Sequence, residues 1–310
     1  MTANCWAIRK TTGVPVVGLC HGVFSVERQL ASFIGAPPED VSAIFVGVNH
    51  LTFCIDLRWK GQDAWPLVRA RLAEERGQPV DRETVGKQFP EMGAPSDRFK
   101  AADNPFSWSV FEAYGAYPAV NDRHVTEFFP ERFPGGQYHG KTLGVDVFSL
   151  EATTANGDRR YADMRAQALG EQPLDEGIFG RAAGEHEQLL DILAAIRGDT
   201  RRVFSVNTPN RGAVPNLPDD AVLELPAAAT GAGLRPLQIH DLPDPPAAVL
   251  TRKLAATQLT VEAALTGSRA LFREALMADG AVTDPEVARK MGDELLEAHK
   301  IHLPNFFPAG

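Results

Sequence analysis

The chain has 310 residues, a hydrophobic content of 44% and a formal net charge of −9 at pH 7, enough for one large domain or two ordinary ones. Acidic and basic residues are mixed along it, which argues against a nucleic-acid-binding protein with a clustered basic surface. No apolar run approaches the roughly twenty residues of a membrane span. The N-terminal residues lack the pattern of a signal peptide, so we expect a cytoplasmic protein.

Apolar periodicity and turn residues predict the elements in chain order. The expected helices cover 4–10, 24–34, 65–75, part of 151–165, 189–196, 251–266, 268–278 and 284–299. The expected strands cover 14–20, 40–50, 51–59, 203–207 and 221–225. We expect a loop or a mobile lid over 77–105, followed by a short apolar-periodic segment at 107–114.

The first chemical candidates are two pairs of polar residues, each at the end of an apolar run. Cys20-His21 follows the run from Val14, and Asn49-His50 follows the run from Val41. In an open α/β sheet, ligands bind at the carboxyl ends of such strands. The Cys20 thiolate and the His50 imidazole can share a divalent cation, with substrate oxygens or water in the remaining positions. A buried cysteine and a capping histidine give the same pattern.

The three cysteines are Cys5, Cys20 and Cys54. They are too few and too irregularly spaced for a disulfide framework. Cys5 and Cys54 lie in apolar surroundings, so we expect both of them to pack in the core.

A second candidate group lies in the polar-aromatic stretch from Tyr117 to Glu127. Tyr117, Asp122 and His124 carry groups that move protons, and Arg123 can pair with a carboxylate through two hydrogen bonds. The alternative is a solvated loop with an ordinary ion pair. A weaker third group, Asn207 with Asn210-Arg211, follows a strand, where structural roles are the alternative. No Gly-x-Gly-x-x-Gly fingerprint follows a strand.

At these residues the chain resembles the NAD- and manganese-dependent glycosidases of glycoside hydrolase family 4. The matching motifs follow one another along nearly the whole chain: Asn4-Cys5-Trp6-Ala7, Gly18–His21, Gly47–Leu51, Asp122–Pro130, Gly184–His186, Val206-Asn207, Pro209-Asn210, Leu217-Pro218 and Leu259–Gly267. The Cys-His pair and the Asp-Arg-His stretch resemble the α-galactosidase and α-galacturonidase or α-glucuronidase branch more than the phospho-glycosidases.

The resemblance implies a redox-elimination reaction, an exception to the two-carboxylate mechanism of most glycosidases. NAD takes a hydride from C3 of the sugar, a base removes the C2 proton, Mn²⁺ holds sugar oxygens, and the glycosidic bond breaks by elimination. It also implies the site residues: Cys20 and His50 as metal ligands, His21 and Asn49 as substrate contacts, Tyr117 as the base with Asp122 and His124 as alternatives, and Arg123 as the partner of a uronate carboxylate. The implied substrates are α-galacturonides, α-glucuronides or α-galactosides. The implied assembly is a homo-oligomer, either a dimer or a tetramer.

The chain departs from the family at its start. Members begin with a Rossmann segment of about 150 residues that carries the Gly-rich NAD fingerprint, and this chain lacks it. We therefore expect an α/β fold: a partial Rossmann-like sheet over 1–50 without the N-terminal NAD-binding strands, and a helix-rich α+β catalytic, substrate and oligomerisation region over 51–310. We interpret Met1 as an internal methionine taken as a start, or the chain as a fragment.

Three functional hypotheses follow from this departure. The first is a glycosidase of this family, present as a truncated chain that we expect to be inactive alone. The second is a non-catalytic fragment or oligomerisation partner that needs another chain for NAD binding. The third is a metal hydrolase that uses Cys20 and His50 without NAD.

Overall fold

The computed structural model describes residues 1–89, 99–177, 188–240 and 242–308, which form a mixture of helices and short strands. The strands are β1 (Val41–Val48), β2 (Leu51–Trp59), β3 (Gln62–Asp63), β4 (Tyr117–Ala119), β5 (Gln137–Tyr138), β6 (Lys141–Thr142), β7 (Val203–Pro209), β8 (Val222–Thr230) and β9 (Gly233–Pro236). The α-helices are α1 (Thr2–Thr12), α2 (Gly22–Ile34), α3 (Trp65–Glu75), α4 (Arg82–Gln88), α5 (Pro105–Tyr114), α6 (Asp122–Val125), α7 (Leu150–Ala168), α8 (Leu189–Arg197), α9 (Asp244–Thr266), α10 (Arg269–Asp279) and α11 (Pro285–Ala298).

The main sheet has seven strands in the order β3-β2-β1-β8-β7, with β4 beside β2 and β9 beside β8. The strand pairs are antiparallel, and the register places Glu224 of β8 opposite both Gly47 of β1 and Asn207 of β7. A partial sheet followed by a helix-rich C-terminal part confirms the expected mixed α/β class.

The main hydrophobic core lies between α2, α3 and α5 and the strands β1 and β2. In α2 the buried side chains of Val26, Leu30 and Phe33 recur every three or four residues, which places them on one face of the helix. The Phe33 ring lies 4.7 Å from that of Trp108, centroid to centroid. Burying each such side chain stabilises the fold by roughly 1.5–3 kcal/mol. Gly35 ends α2 with a φ of 71°, a conformation that glycine adopts without strain.

The predicted strand over 14–20 is wrong. This segment makes only an isolated bridge, in which Gly18 and Asn207 exchange backbone hydrogen bonds of 3.0 and 2.8 Å. Pro15 lacks the N–H that a strand ladder needs, which explains part of the difference.

Three other boundaries differ from the prediction. The runs over 40–50 and 51–59 form a hairpin, because the chain reverses between Val48 and Leu51 instead of continuing. Strand β8 continues through Pro226, whose carbonyl accepts a hydrogen bond from Leu237 N at 2.9 Å. The predicted loop over 77–105 contains α4, which the Asp81 side chain caps at Thr84 N. Residues 90–98 of that loop lie outside the described residues.

The chain divides into a larger unit, residues 1–128 with 187–310, and a smaller one, residues 129–186. The smaller unit contains the β5–β6 hairpin and α7, a 19-residue helix with no buried side chain. The predicted division at residue 50 stays a prediction, and the β1–β2 hairpin spans that position. In the described ranges, no helix is both long enough and apolar enough to cross a membrane.

Candidate functional site

A two-residue turn between β1 and β2 presents Asn49 and His50. His50 has a φ of 68°. Just before this turn, the backbone of Gly47 in β1 lies close to the backbone of Leu51 in β2. A Cβ added at Gly47 would overlap the backbone carbonyl oxygen of Leu51, so only glycine fits there. This close approach fixes the position of the turn and therefore of the His50 ring.

Cys20 and His21 lie at the start of α2, which begins at Gly22. The Cys20 side chain is buried, and its Sγ accepts a hydrogen bond from Gly22 N at 3.4 Å. The Cys20 sulfur therefore lies next to the first N–H groups of a 13-residue helix, which carry partial positive charge. His21 occupies the N-cap position of the same helix and is exposed.

The ring of His50 lies beside that of His124 from α6, with centroids 4.5 Å apart and ring planes inclined by 41°. Burial lowers the pKa of His50, and the neighbouring charges of His124 and His21 lower it further, against the opposing effect of Glu127. The neutral imidazole is the form that binds a metal. Two segments distant in the sequence, the β1–β2 turn and α6, therefore meet at His50.

Among the three candidate bases, only His124 is partly open to solvent, with 29% of its side chain exposed. Its Nδ1 faces Glu127 Oε2 at 3.5 Å. Arg123, the predicted uronate partner, precedes it on α6 and is exposed. His124 therefore combines access with contact to His50.

Tyr117 and Asp122 occupy different environments. Tyr117 is fully buried in the main core, with its ring 4.7 Å from that of Trp108, and burial raises the pKa of its phenol. The buried Asp122 carboxylate accepts hydrogen bonds at 2.5–2.8 Å from Phe106 N, Ser107 N and Ser107 Oγ, at the start of α5. The Tyr117 ring is therefore part of the hydrophobic core, and the Asp122 carboxylate is held by the first residues of α5.

A buried polar network lies beneath the turn and centres on Glu224, which the sequence analysis missed. Its Oε2 accepts hydrogen bonds from Asn49 Nδ2 at 3.1 Å and Asn207 Nδ2 at 3.3 Å. Burial raises the pKa of Glu224 to about 7, although both asparagines act to lower it. Asn49 N donates to Thr2 Oγ1 at 3.2 Å. A glutamate inside an apolar strand is the sequence signal that could have revealed this network.

The third predicted group separates into different roles. Asn207 is buried and belongs to the Glu224 network. Asn210 is also buried, and its side chain shapes the following loop by accepting from Val214 N at 2.7 Å and donating to the carbonyls of Val214, Leu217 and Pro218. Arg211 is exposed.

The other cysteines follow the prediction, because Cys5 and Cys54 are both buried and burial raises the pKa of each thiol. The Gly184–His186 motif lies outside the described residues.

Few of the described side chains near His50 are suited to bind a cation. Within the described part of the chain, no three His, Cys, Asp or Glu side chains are grouped so that they could hold a metal ion. Cys20 and His50 stay the predicted protein ligands, and open positions for substrate or water are typical of a catalytic metal.

The sequence model of the family 4 glycosyl hydrolase C-terminal domain matches residues 45–282. The chain belongs to glycosyl hydrolase family 4. Among curated family relatives, the α-galactosidase of Rhizobium meliloti (strain 1021) is 27% identical over 99% of this chain and 59% of its own length. The α-galacturonidase of Bacillus subtilis (strain 168) is 28% identical over 92% of this chain and 62% of its own length. The chain thus spans about three fifths of these relatives.

Solved glucosidase structures share the fold of this chain. A 6-phospho-α-glucosidase from gut microorganisms, in complex with NAD and Mn²⁺, superposes with a TM-score of 0.72 at 18% identity, over 98% of this chain and 66% of its own. The putative glucosidase LplD of Bacillus subtilis superposes with a TM-score of 0.71 at 24% identity, over 96% of this chain and 66% of its own.

Proposed function

We propose that this chain carries the metal- and sugar-binding part of a glycosidase that uses NAD and Mn²⁺ in a redox-elimination reaction. The observation that supports this most is the contact between the His50 and His124 rings, 4.5 Å apart. This contact places His50, the predicted metal ligand, next to His124, which belongs to the stretch predicted to transfer protons.

The proposed cofactors are those of a structural neighbour that was crystallised with NAD and Mn²⁺. When bound, Mn²⁺ supplies Lewis-acid polarisation of sugar oxygens and NAD supplies the redox step. Cys20 and His50 are the residues that would hold Mn²⁺. The chain contains no Gly-x-Gly-x-x-Gly motif after a strand, so we assign no residue of this chain to NAD.

His124 is the proposed base that removes the proton next to the oxidised carbon. A proton on Nδ1, facing Glu127, leaves the lone pair of Nε2 to accept the substrate proton. His21 and Asn49 are the proposed sugar contacts. The hydrogen bond from Asn49 to Glu224 orients the Asn49 side chain in the turn next to His50.

The proposed substrates are α-galacturonides or α-glucuronides, with α-galactosides as the alternative. The exposed guanidinium of Arg123 adjoins His124 in the sequence, and arginine pairs with carboxylates through two parallel hydrogen bonds. The curated relatives include both an α-galacturonidase and an α-galactosidase.

We also propose that the protein self-associates as a dimer or tetramer in the cytoplasm. Leu189, Leu190 and Leu193 of α8 are exposed, and grouped apolar side chains are commonly covered by a partner. The described cysteines are free thiols, which agrees with a reducing compartment. Light scattering at micromolar concentration tests the assembly, and a monomer would contradict it.

The activity test mixes the purified chain with NAD and Mn²⁺ and measures nitrophenol release from nitrophenyl α-galacturonide and α-galactoside. Release that requires both cofactors is the result that supports the proposed redox-elimination reaction. Release without NAD would favour a metal hydrolase instead. A folded but inactive chain would favour a non-catalytic part that needs another chain for NAD binding.

Arg123→Ala tests the substrate class in the same assay. We expect this variant to lower kcat/KM for the uronide about tenfold or more, because it loses a charge-assisted hydrogen bond. The kcat/KM for the galactoside should stay unchanged. Arg58→Ala, which removes an exposed arginine paired with Asp56, is the matched control. An unchanged preference for the uronide in Arg123→Ala would contradict the proposed pairing of Arg123 with the uronate carboxylate.

A further inference from the structure

A pocket of about 330 Å³ in the larger unit is lined by three arginines, Arg9, Arg211 and Arg235. Arg9 comes from α1, Arg211 follows the end of β7, and Arg235 lies in β9. None of the described residues that line the pocket is an aspartate or glutamate. A concentration of positive charge is unexpected in a chain whose net charge is −9.

Within the described part of the chain, the arginines of this pocket lack the carboxylate partners that other arginines have. Arg58 pairs with Asp56, and Arg289 pairs with Glu286. For Arg9, Arg211 and Arg235, the residues that the structure describes provide no such ion pair. Their guanidinium groups therefore have unused hydrogen-bond donors.

Two of these charges are close enough to affect each other. Burial lowers the pKa of Arg9, and the positive charge of Arg211 lowers it further. Like charges held together in a partly buried position cost free energy, which a bound anion would offset.

We propose that this pocket binds a small, multiply charged phosphate anion between Arg9, Arg211 and Arg235. The planar guanidinium fork matches the geometry of phosphate oxygens and forms two parallel hydrogen bonds with them. The lining also contains Thr208, whose hydroxyl can donate, and the apolar Val16 and Leu234. A volume of about 330 Å³ is at the lower end of the range for ligand sites, which suits a small anion. The proposal does not depend on the glycosidase assignment.

Isothermal titration calorimetry with inorganic pyrophosphate tests this site, in buffer free of divalent metal and at constant ionic strength. We expect saturable binding at one site per chain. Arg9→Gln, Arg211→Gln and Arg235→Gln should each weaken it about tenfold or more, as expected for one charge-assisted contact. Arg58→Gln makes the same change of charge elsewhere and should bind like the wild type.

His50→Ala separates this pocket from the candidate functional site and should also bind like the wild type. The proposal is overturned if millimolar pyrophosphate gives no saturable binding, or if Arg58→Gln weakens binding as much as Arg211→Gln. It is also overturned if binding is lost only in His50→Ala. Arg211 and Arg235 are exposed, so their variants test the site even if Arg9→Gln fails to fold.

Discussion

The imidazole rings of His50 and His124 lie 4.5 Å apart, although 74 positions separate them in the sequence. One ring belongs to the β1–β2 turn and the other to the short helix α6. Because β4, which directly precedes α6, pairs with β2 of the same hairpin, the sheet itself brings the two histidines together. The candidate metal ligand and the candidate base therefore share one rigid support.

His124→Gln tests the assignment of the base. We expect kcat to fall about 10²- to 10⁴-fold, because removal of a general base typically costs this much, while Mn²⁺ binding is retained. The measurement is Mn²⁺-dependent nitrophenol release together with exchange of the sugar C2 proton in deuterated water.

His302→Gln, at an exposed histidine near the C-terminus, is the control. Full activity in His124→Gln, combined with loss of activity in a folded Tyr117→Phe variant, would return the role to Tyr117.

Glu224 should make stability depend on pH. Its pKa is about 7 in the folded state against an ordinary value of 4.5. The folded state therefore binds a proton more readily than the unfolded state in this window. The free energy of unfolding should fall as pH rises from about 4.5 to 7, by up to about 3 kcal/mol. Protonation of Glu224 at low pH restores this free energy of unfolding.

Urea denaturation at pH 5 and pH 7.5 measures this effect in the wild type and in Glu224→Gln. The variant should lose the part of the pH dependence that belongs to Glu224. Glu27, whose pKa burial also raises to about 7, contributes with the same sign in both proteins and cancels in the comparison. Equal pH dependence in the two proteins would contradict the assignment.

Gly47→Ala should destabilise the protein by about 2–3 kcal/mol and displace the His50 turn. The added methyl group would meet the Leu51 carbonyl oxygen, which belongs to the backbone and cannot move aside cheaply. Gly86→Ala in α4 is the matched control, because its Cβ meets open space and alanine favours a helix. Urea denaturation of both variants measures this loss of stability. If Gly47→Ala destabilises the protein as little as Gly86→Ala does, the turn can adapt to the added methyl group and the prediction is wrong.

Local sequence signals predicted the helices well. Helix α3 spans 65–75 as expected, and Gly13 and Gly35 end α1 and α2 in the left-handed conformation that glycine favours. The strands β1, β2 and β7 were also found, because their β-branched runs are long and bounded by turn residues.

Long-range relations were beyond local signals. Whether the segment 14–20 forms a strand depends on a neighbour to pair with, and it gains only the Gly18–Asn207 bridge. The enclosure of Tyr117 against Trp108 follows from tertiary packing, which no motif records. Glu224 matters because two asparagines from different segments converge on it.

The most direct test of the account is Mn²⁺ binding to Cys20→Ala and His50→Ala, measured by the electron paramagnetic resonance of free Mn²⁺. We expect each variant to bind at least about tenfold more weakly than the wild type, because each loses one of two protein ligands. Cys5→Ala, which removes a different buried thiol, should bind like the wild type. Unchanged Mn²⁺ affinity in both Cys20→Ala and His50→Ala, with the fold intact, would contradict the metal site at this turn.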